Sequence, residues 1–137
     1  MKNTIAIISS VKDSEFVKEI EIALKKYNAK YGINIASAHK TPNLLEIINK
    51  YDNEFDNVVY INVAGLSNRI SRVVASNTKN PTIACHNLNE QNYLIDIYST
   101  LRMPSNTYSM CVLNPKNTAL AALKILGFID KKLKEKL

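Results

Sequence analysis

The sequence predicts an α/β protein, a three-layer α/β/α sandwich built on a five-stranded parallel sheet. Three observations lead there. Short apolar runs alternate with amphipathic segments along the whole chain. The runs are of strand length, and the segments between them open on helix-capping residues. Strands separated by helical crossovers run parallel, and a parallel sheet needs helices on both faces. The chain has 137 residues, the size of one domain, and 1–137 reads as a single unit without linker, repeat or low-complexity segment.

The elements follow in order. "TIAIIS" (4–9) is the first buried strand. Asp13 or Ser14 caps the next helix, whose Phe16, Ile20, Leu24 and Tyr27 share one face. "YGINIAS" (31–37) is the second strand. Thr41 is an N-cap with Pro42 at the first helical position, where a missing N–H costs nothing. Leu44, Leu45, Ile47, Ile48 and Tyr51 form the apolar face of that helix. "NVVYINVA" (57–64) is the third strand, rich in β-branched residues. Residues 67–79 read as helix, with Ile70, Val73 and Val74 inward. "PTIACH" (81–86) is the fourth strand, 90–101 a helix, and "YSMCVL" (108–113) the fifth strand. Asn114-Pro115 then opens a last long helix with Ala119, Ala122, Leu123 and Leu126 on one face. That face packs on the sheet or on a neighbouring subunit. A bend is expected at Gly127, ahead of the charged tail "DKKLKEKL". Five strands thus alternate with five helices.

Composition narrows the function. The formal net charge is +6, much of it in the tail, which reads as a solvated helix end. A positive potential suits a small anionic substrate such as a phosphate ester. No basic stripe is interleaved with aromatics, so nucleic acid is not expected as a partner. No apolar stretch reaches membrane-span length, and "MKNTIAIISS" does not read as a signal peptide. The expected location is cytoplasmic, with no membrane partner. Cys85 and Cys111 fall in apolar runs and read as reduced core thiols. Neither they nor the two histidines have metal-ligand spacing, so no metal is expected.

Ligands of open parallel sheets bind beyond the carboxyl ends of the strands. Those ends carry "SSVKD" (9–13), "SAHKTP" (37–42), "AGLSN" (64–68) and "HNLNEQN" (86–92). "STLRMPSN" (99–106) ends in a loop that reaches the same edge or a subunit interface. Ser9, Ser10 and Lys12, just before a helix, suit a phosphate cradle, because helix amino ends present free N–H groups. Asp13 either hydrogen-bonds ribose hydroxyls or is only an N-cap. His39 either exchanges protons at neutral pH or bonds the local backbone. Lys40 beside it disfavours the charged ring, which keeps it neutral and able to act as a base. His86 reads as a rim residue or a helix-start neighbour rather than a second catalyst.

These residues resemble the aminoimidazole ribonucleotide carboxylase family of purine biosynthesis, over about 4–127. "SAHKT" (37–41) is similar to the family's catalytic-histidine motif, with the lysine of the class II, carbon dioxide-using branch. "AGLSN" (64–68), "TIAC" (82–85), "DIYSTLRMPS" (96–105) and "PKNTALAALKIL" (115–126) resemble further class II segments in the same order. The mutase branch has arginine after the histidine and a Gly-rich loop with another histidine.

The resemblance implies a flavodoxin-like three-layer fold and a homo-oligomer, an octamer or tetramer, with sites between subunits. It implies carboxylation of the imidazole ring carbon of the phosphorylated ribonucleotide by carbon dioxide, without metal, biotin or other cofactor. His39 and Lys40 become the catalytic candidates. Ser10, Lys12, Asp13, Ser37, Ala38, Ala64, Gly65, Ser67, Asn68, Arg102, Met103, Pro104 and Ser105 become the substrate-binding candidates. Arg102 binds substrate or holds its loop; both readings stand. The chain also departs from the family pattern. Ser9 and Lys12 stand where the family has glycine and a hydroxyl residue, and Leu66 stands for an arginine. His86-Asn87 replace two prolines, and Asn106 replaces a glycine. Mutase activity, or a catalytically impaired nucleotide-binding relative, is the alternative.

Overall fold

The computed structural model describes residues 1–37 and 41–137, with Thr41 by its backbone only. The first strand, β1 (Asn3–Ser9), is followed by a 3-10 turn at Val11–Asp13 and by α1 (Ser14–Lys26). Then come β2 (Tyr31–Ile35), α2 (Thr41–Glu54), β3 (Asn57–Ala64), α3 (Arg69–Asn77) and β4 (Thr82–His86). The chain continues through α4 (Tyr93–Leu101), β5 (Met110–Cys111), α5 (Pro115–Leu126) and α6 (Lys131–Lys136).

The sheet order is β2-β1-β3-β4-β5 and every pairing is parallel. Strand residues alternate between two apolar layers, as the period of two demands. Ile5, Ile7, Val59, Ile61, Val63 and Ile83 point to one face, covered by Val17, Ile20 and Leu24 of α1 and Ala119, Ala122 and Leu123 of α5. Ala6, Ile8, Val58 and Tyr60 point to the other, covered by Leu44 and Ile48 of α2 and Ile70 and Val74 of α3. The small residues of α5 therefore pack inside this chain, against the sheet. Strands buried on both faces explain why β1, β3 and β4 read as nearly unbroken apolar runs.

Several edges differ from the sequence expectation. The fifth strand contracts to Met110–Cys111, an edge pairing with Ile83 and Ala84, extended one step by Val112 N donating to Ala84 O at 3.0 Å. The helix expected over 67–79 spans only Arg69–Asn77, because Asn68 sits at its N-cap. The helix expected at 90–101 starts at Tyr93. The long last helix stops at Leu126 instead of bending, and a sixth helix follows. That tail is not wholly solvated: Leu133 is buried against the α1–α5 layer, and Asp130 caps α6 by accepting from Leu133 N at 3.0 Å.

Asn114 behaves as read. Its side chain accepts from Asn117 N at 3.1 Å, with Pro115 in the first turn. Asn114→Ala leaves that N–H without its partner, and unfolding in denaturant is expected to show a loss of about 1 kcal/mol.

Candidate active site

The strand order reverses beside β1: the chain leaves it for β2 on one side and returns to β3 on the other. Crossovers of opposite direction leave a crevice at the carboxyl ends of these two strands. A cleft of about 310 Å³ opens there, lined by Ser10 and Asp13 after β1, Ser37 after β2, and the end of β3 from Val63 to Ser67, with Arg69 and Ile70 of α3.

Asp13 anchors this cleft. It is 5% exposed. Its Oδ2 accepts from Ser10 Oγ at 2.8 Å and its Oδ1 from Asn87 Nδ2 at 3.0 Å. It stands at the N-cap of α1, yet its side chain makes no cap bond. Its carboxylate is committed to the cleft and not to the helix. A carboxylate offers about four acceptor positions, so two neutral donors leave capacity for a ligand. Gly65 faces it closely: a Cβ on residue 65 would sit 3.1 Å from Asp13 Oδ1. Any side chain there crowds the carboxylate, so the small residue belongs to the site's shape.

The fold has close counterparts in known proteins. The family model for AIR carboxylase matches residues 4–137. The chain belongs to the AIR carboxylase family. A phosphoribosylaminoimidazole carboxylase of Archaeoglobus fulgidus is 40% identical over 133 residues, covering 96% of this chain and 73% of that protein. One of Treponema denticola is 37% identical over 130 residues, covering 94% and 82%. The crystal structure of Treponema denticola PurE superposes with a TM-score of 0.92 at 34% identity, covering 98% of this chain and 86% of that one. The flavodoxin-like strand order expected of an AIR carboxylase is the order found here.

Of the site residues named from sequence, Ser10, Asp13, Ser37, Ala64, Gly65 and Ser67 line this cleft. His39, Lys40 and Ala38 lie outside the described residues. Lys12 is exposed on the 3-10 turn and does not line the cleft, and Ser9 is fully buried in β1. Of Ser9, Ser10 and Lys12, only Ser10 lines the cleft. Asn68 turns inward instead. Its Oδ1 caps α3 by accepting from Ser71 N at 3.1 Å, and its Nδ2 donates to Thr100 Oγ1 at 3.0 Å. Arg102, Met103, Pro104 and Ser105 form a separate surface loop after α4. Asn106 in that loop has φ 64°, the left-handed geometry asparagine tolerates.

His86 corrects the sequence reading. It is not on the rim: at 2% exposure it lies inside, between the 64–68 loop and α4. Burial holds its pKa below the ordinary 6.5, against upward pulls from the Leu66 carbonyl, Asp96 and Asp13. An unfolded ring regains the ordinary value. Above pH 6.5 both states are neutral and the contribution to stability is complete. Below it the unfolded chain takes up a proton that the fold resists, so stability declines as the pH falls towards the lowered folded value. Thermal unfolding between pH 7 and pH 5 is expected to show this decline, reduced in His86→Gln.

Sequence reading also missed Arg69 and Asn87. Arg69 is the one cationic residue lining the cleft among the described residues. The helix-start pattern placed it on α3 but gave no sign of its direction. Cys85 fits the reading as a core thiol, with burial raising its pKa to about 11. Among the described residues, no group of three or more His, Cys, Asp or Glu could hold a metal ion, and no helix is long and apolar enough to cross a membrane.

Proposed function

We propose that this chain, acting as one domain over 1–137, is a phosphoribosylaminoimidazole carboxylase. It joins carbon dioxide to an imidazole ring carbon of aminoimidazole ribonucleotide, giving carboxyaminoimidazole ribonucleotide. Its family acts on a phosphorylated ribonucleotide. The observation that carries the reading is the buried carboxylate of Asp13, held by two neutral donors in a cleft at the strand-order reversal. Such a group accepts hydrogen bonds from ligand hydroxyls at fixed positions.

The chemistry asks little of the protein beyond placement. The aminoimidazole ring is electron-rich, and its π electrons form the new bond to the carbon of carbon dioxide. One C=O pair moves onto oxygen to give the carboxylate. The ring carbon then carries its original hydrogen as well, and aromaticity returns when a base removes that proton. His39, neutral beside Lys40, is the base. Lys40, Ser67 and Arg69 stabilise the carboxylate as it forms. Ser10 and Asp13 hold the ribose phosphate portion, and no cofactor takes part.

We read the protein as a cytoplasmic homo-oligomer, an octamer or tetramer. Leu94, Ile95, Tyr98 and Leu101 leave an exposed apolar face on α4, which supports burial against further copies. The neighbouring loop with Arg102, Met103, Pro104 and Ser105 then reaches the cleft of an adjacent copy.

Purified protein supplied with aminoimidazole ribonucleotide and bicarbonate, without ATP, is expected to form the carboxylated ribonucleotide. Turnover only of the carbamate form of the substrate would assign the mutase reaction instead. Binding without turnover of either would assign an impaired relative. Leu66 favours that last reading over the mutase, since an apolar side chain at the cleft mouth supplies no cation to a carboxylate.

A further inference from the structure

Three successive carbonyls at the end of β3 are held from one short segment. Asn87 N donates to Ala64 O at 2.7 Å and Asn92 Nδ2 to Gly65 O at 3.3 Å, while the His86 ring bonds Leu66 O through Nε2. Ala64, Gly65 and Leu66, which carry the three carbonyls, wall the cleft.

The ring's protonation follows from its partners. A carbonyl only accepts, so Nε2 carries hydrogen. In the neutral ring Nδ1 then accepts, and the Thr100 hydroxyl 2.6 Å away is the donor. Thr100 Oγ1 in turn accepts from Asn68 Nδ2 at 3.0 Å. Asn68 N donates to Ser99 Oγ at 2.9 Å, which ties the same loop to α4 a second time. The hydrogen bonds therefore run one way, from Asn68 through Thr100 and His86 to Leu66. They start and end on the 64–68 loop. The charged groups acting on the ring are Asp96 of α4 and Asp13 after β1. A second proton, on Nδ1, would reverse the bond to Thr100 and leave that hydroxyl hydrogen without its acceptor.

We propose that His86, as the neutral ring protonated on Nε2, is a positioning residue that fixes the 64–68 wall of the cleft. Through that wall it sets the substrate contacts of Gly65 and Ser67. The kinetic part of this inference rests on the carboxylase reading; the structural part does not.

His86→Gln and His86→Asn separate the roles. Glutamine carries its amide to about the place of Nε2 and can still donate to Leu66 O. Asparagine reaches only the place of Nδ1 and leaves that carbonyl unbonded. Both are compared with the unaltered protein by hydrogen–deuterium exchange at residues 65–68 and by kcat and KM. His86→Asn is expected to speed exchange in this loop and to lower kcat/KM about 10- to 100-fold, as a misplaced wall would. His86→Gln is expected to recover most of both. Equal exchange and equal kcat/KM in the two variants would overturn the proposal. If the unaltered protein makes no product, the carboxylase reading fails and the exchange data alone decide for His86. Thr100→Val removes the central hydroxyl with little change of shape and stands in if His86→Asn does not fold. Loop exchange unchanged in that variant would equally overturn the role.

Discussion

His39→Asn is expected to lower kcat by about 10²- to 10⁴-fold, the usual worth of a positioned proton acceptor. The loss belongs to the step after carbon–carbon bond formation, when the ring carbon must release its hydrogen. Asparagine is close to histidine in size and keeps a hydrogen-bonding group, but it cannot take up a proton at neutral pH. Substrate binding should therefore change far less than turnover, and isothermal titration with aminoimidazole ribonucleotide should show a dissociation constant near that of the unaltered protein. Circular dichroism and sedimentation should show the same folded species. A second consequence follows from the need for a neutral ring. kcat/KM should fall as the pH drops and the catalytic imidazole takes up a proton. His86 titrates below the ordinary 6.5 because burial disfavours its charge. An acid limb that persists in His86→Gln is then assigned to His39. Unimpaired turnover in His39→Asn would remove this residue from the mechanism.

The central architecture was legible because its cause is periodic. Ile5, Ile7, Val59 and Ile61 on one face, and Ala6, Ile8, Val58 and Tyr60 on the other, must all be apolar once helices cover both sides. That constraint writes an unbroken run into the sequence. Asn114-Pro115 was legible for a local reason, since the cap bond to Asn117 N and the fixed φ of proline act within one turn. The fifth strand was overread. An edge strand paired on one side needs less ladder than its apolar letters suggest, and only Met110–Cys111 pair.

The site was legible as a set of loops rather than as roles. Strand ends are read from the runs that precede them, and Ser10, Asp13, Ser37, Gly65 and Ser67 from those ends line one cleft. The inward turn of Asn68 and the burial of His86 follow from no period. They depend on Thr100, which is 32 positions from one and 14 from the other. Ala64 O and Gly65 O, with their partners Asn87 N and Asn92 Nδ2, likewise meet only because β3 and β4 are adjacent. Long-range polar pairing leaves no letter pattern, because the same amide or imidazole satisfies a cap, a rim or a buried network equally well.

That ambiguity is what an Asp13 pair of variants resolves. Asp13 Oδ1 accepts from Asn87 Nδ2 and Oδ2 accepts from the Ser10 hydroxyl. In Asp13→Asn the new amide oxygen can keep the bond from Asn87. The new amide nitrogen meets Ser10 Oγ, and a hydroxyl can rotate to accept instead of donate. The local scaffold therefore survives, and only the negative charge and its spare acceptor positions are lost. Asp13→Ala is different. It leaves the Asn87 amide and the Ser10 hydroxyl without their partner and opens space beside Gly65, so unfolding experiments should show a loss of about 1–3 kcal/mol. If the carboxylate only shaped the loop, the asparagine variant would bind substrate normally. If it accepts from ligand hydroxyls, both variants lose a charge-assisted hydrogen bond worth about 1.5–3 kcal/mol, and the dissociation constant of the ribonucleotide rises about 10- to 100-fold. Near-native stability in Asp13→Asn combined with that loss of affinity assigns the buried charge to the ligand. Equal affinity in Asp13→Asn and the unaltered protein returns Asp13 to a purely structural part.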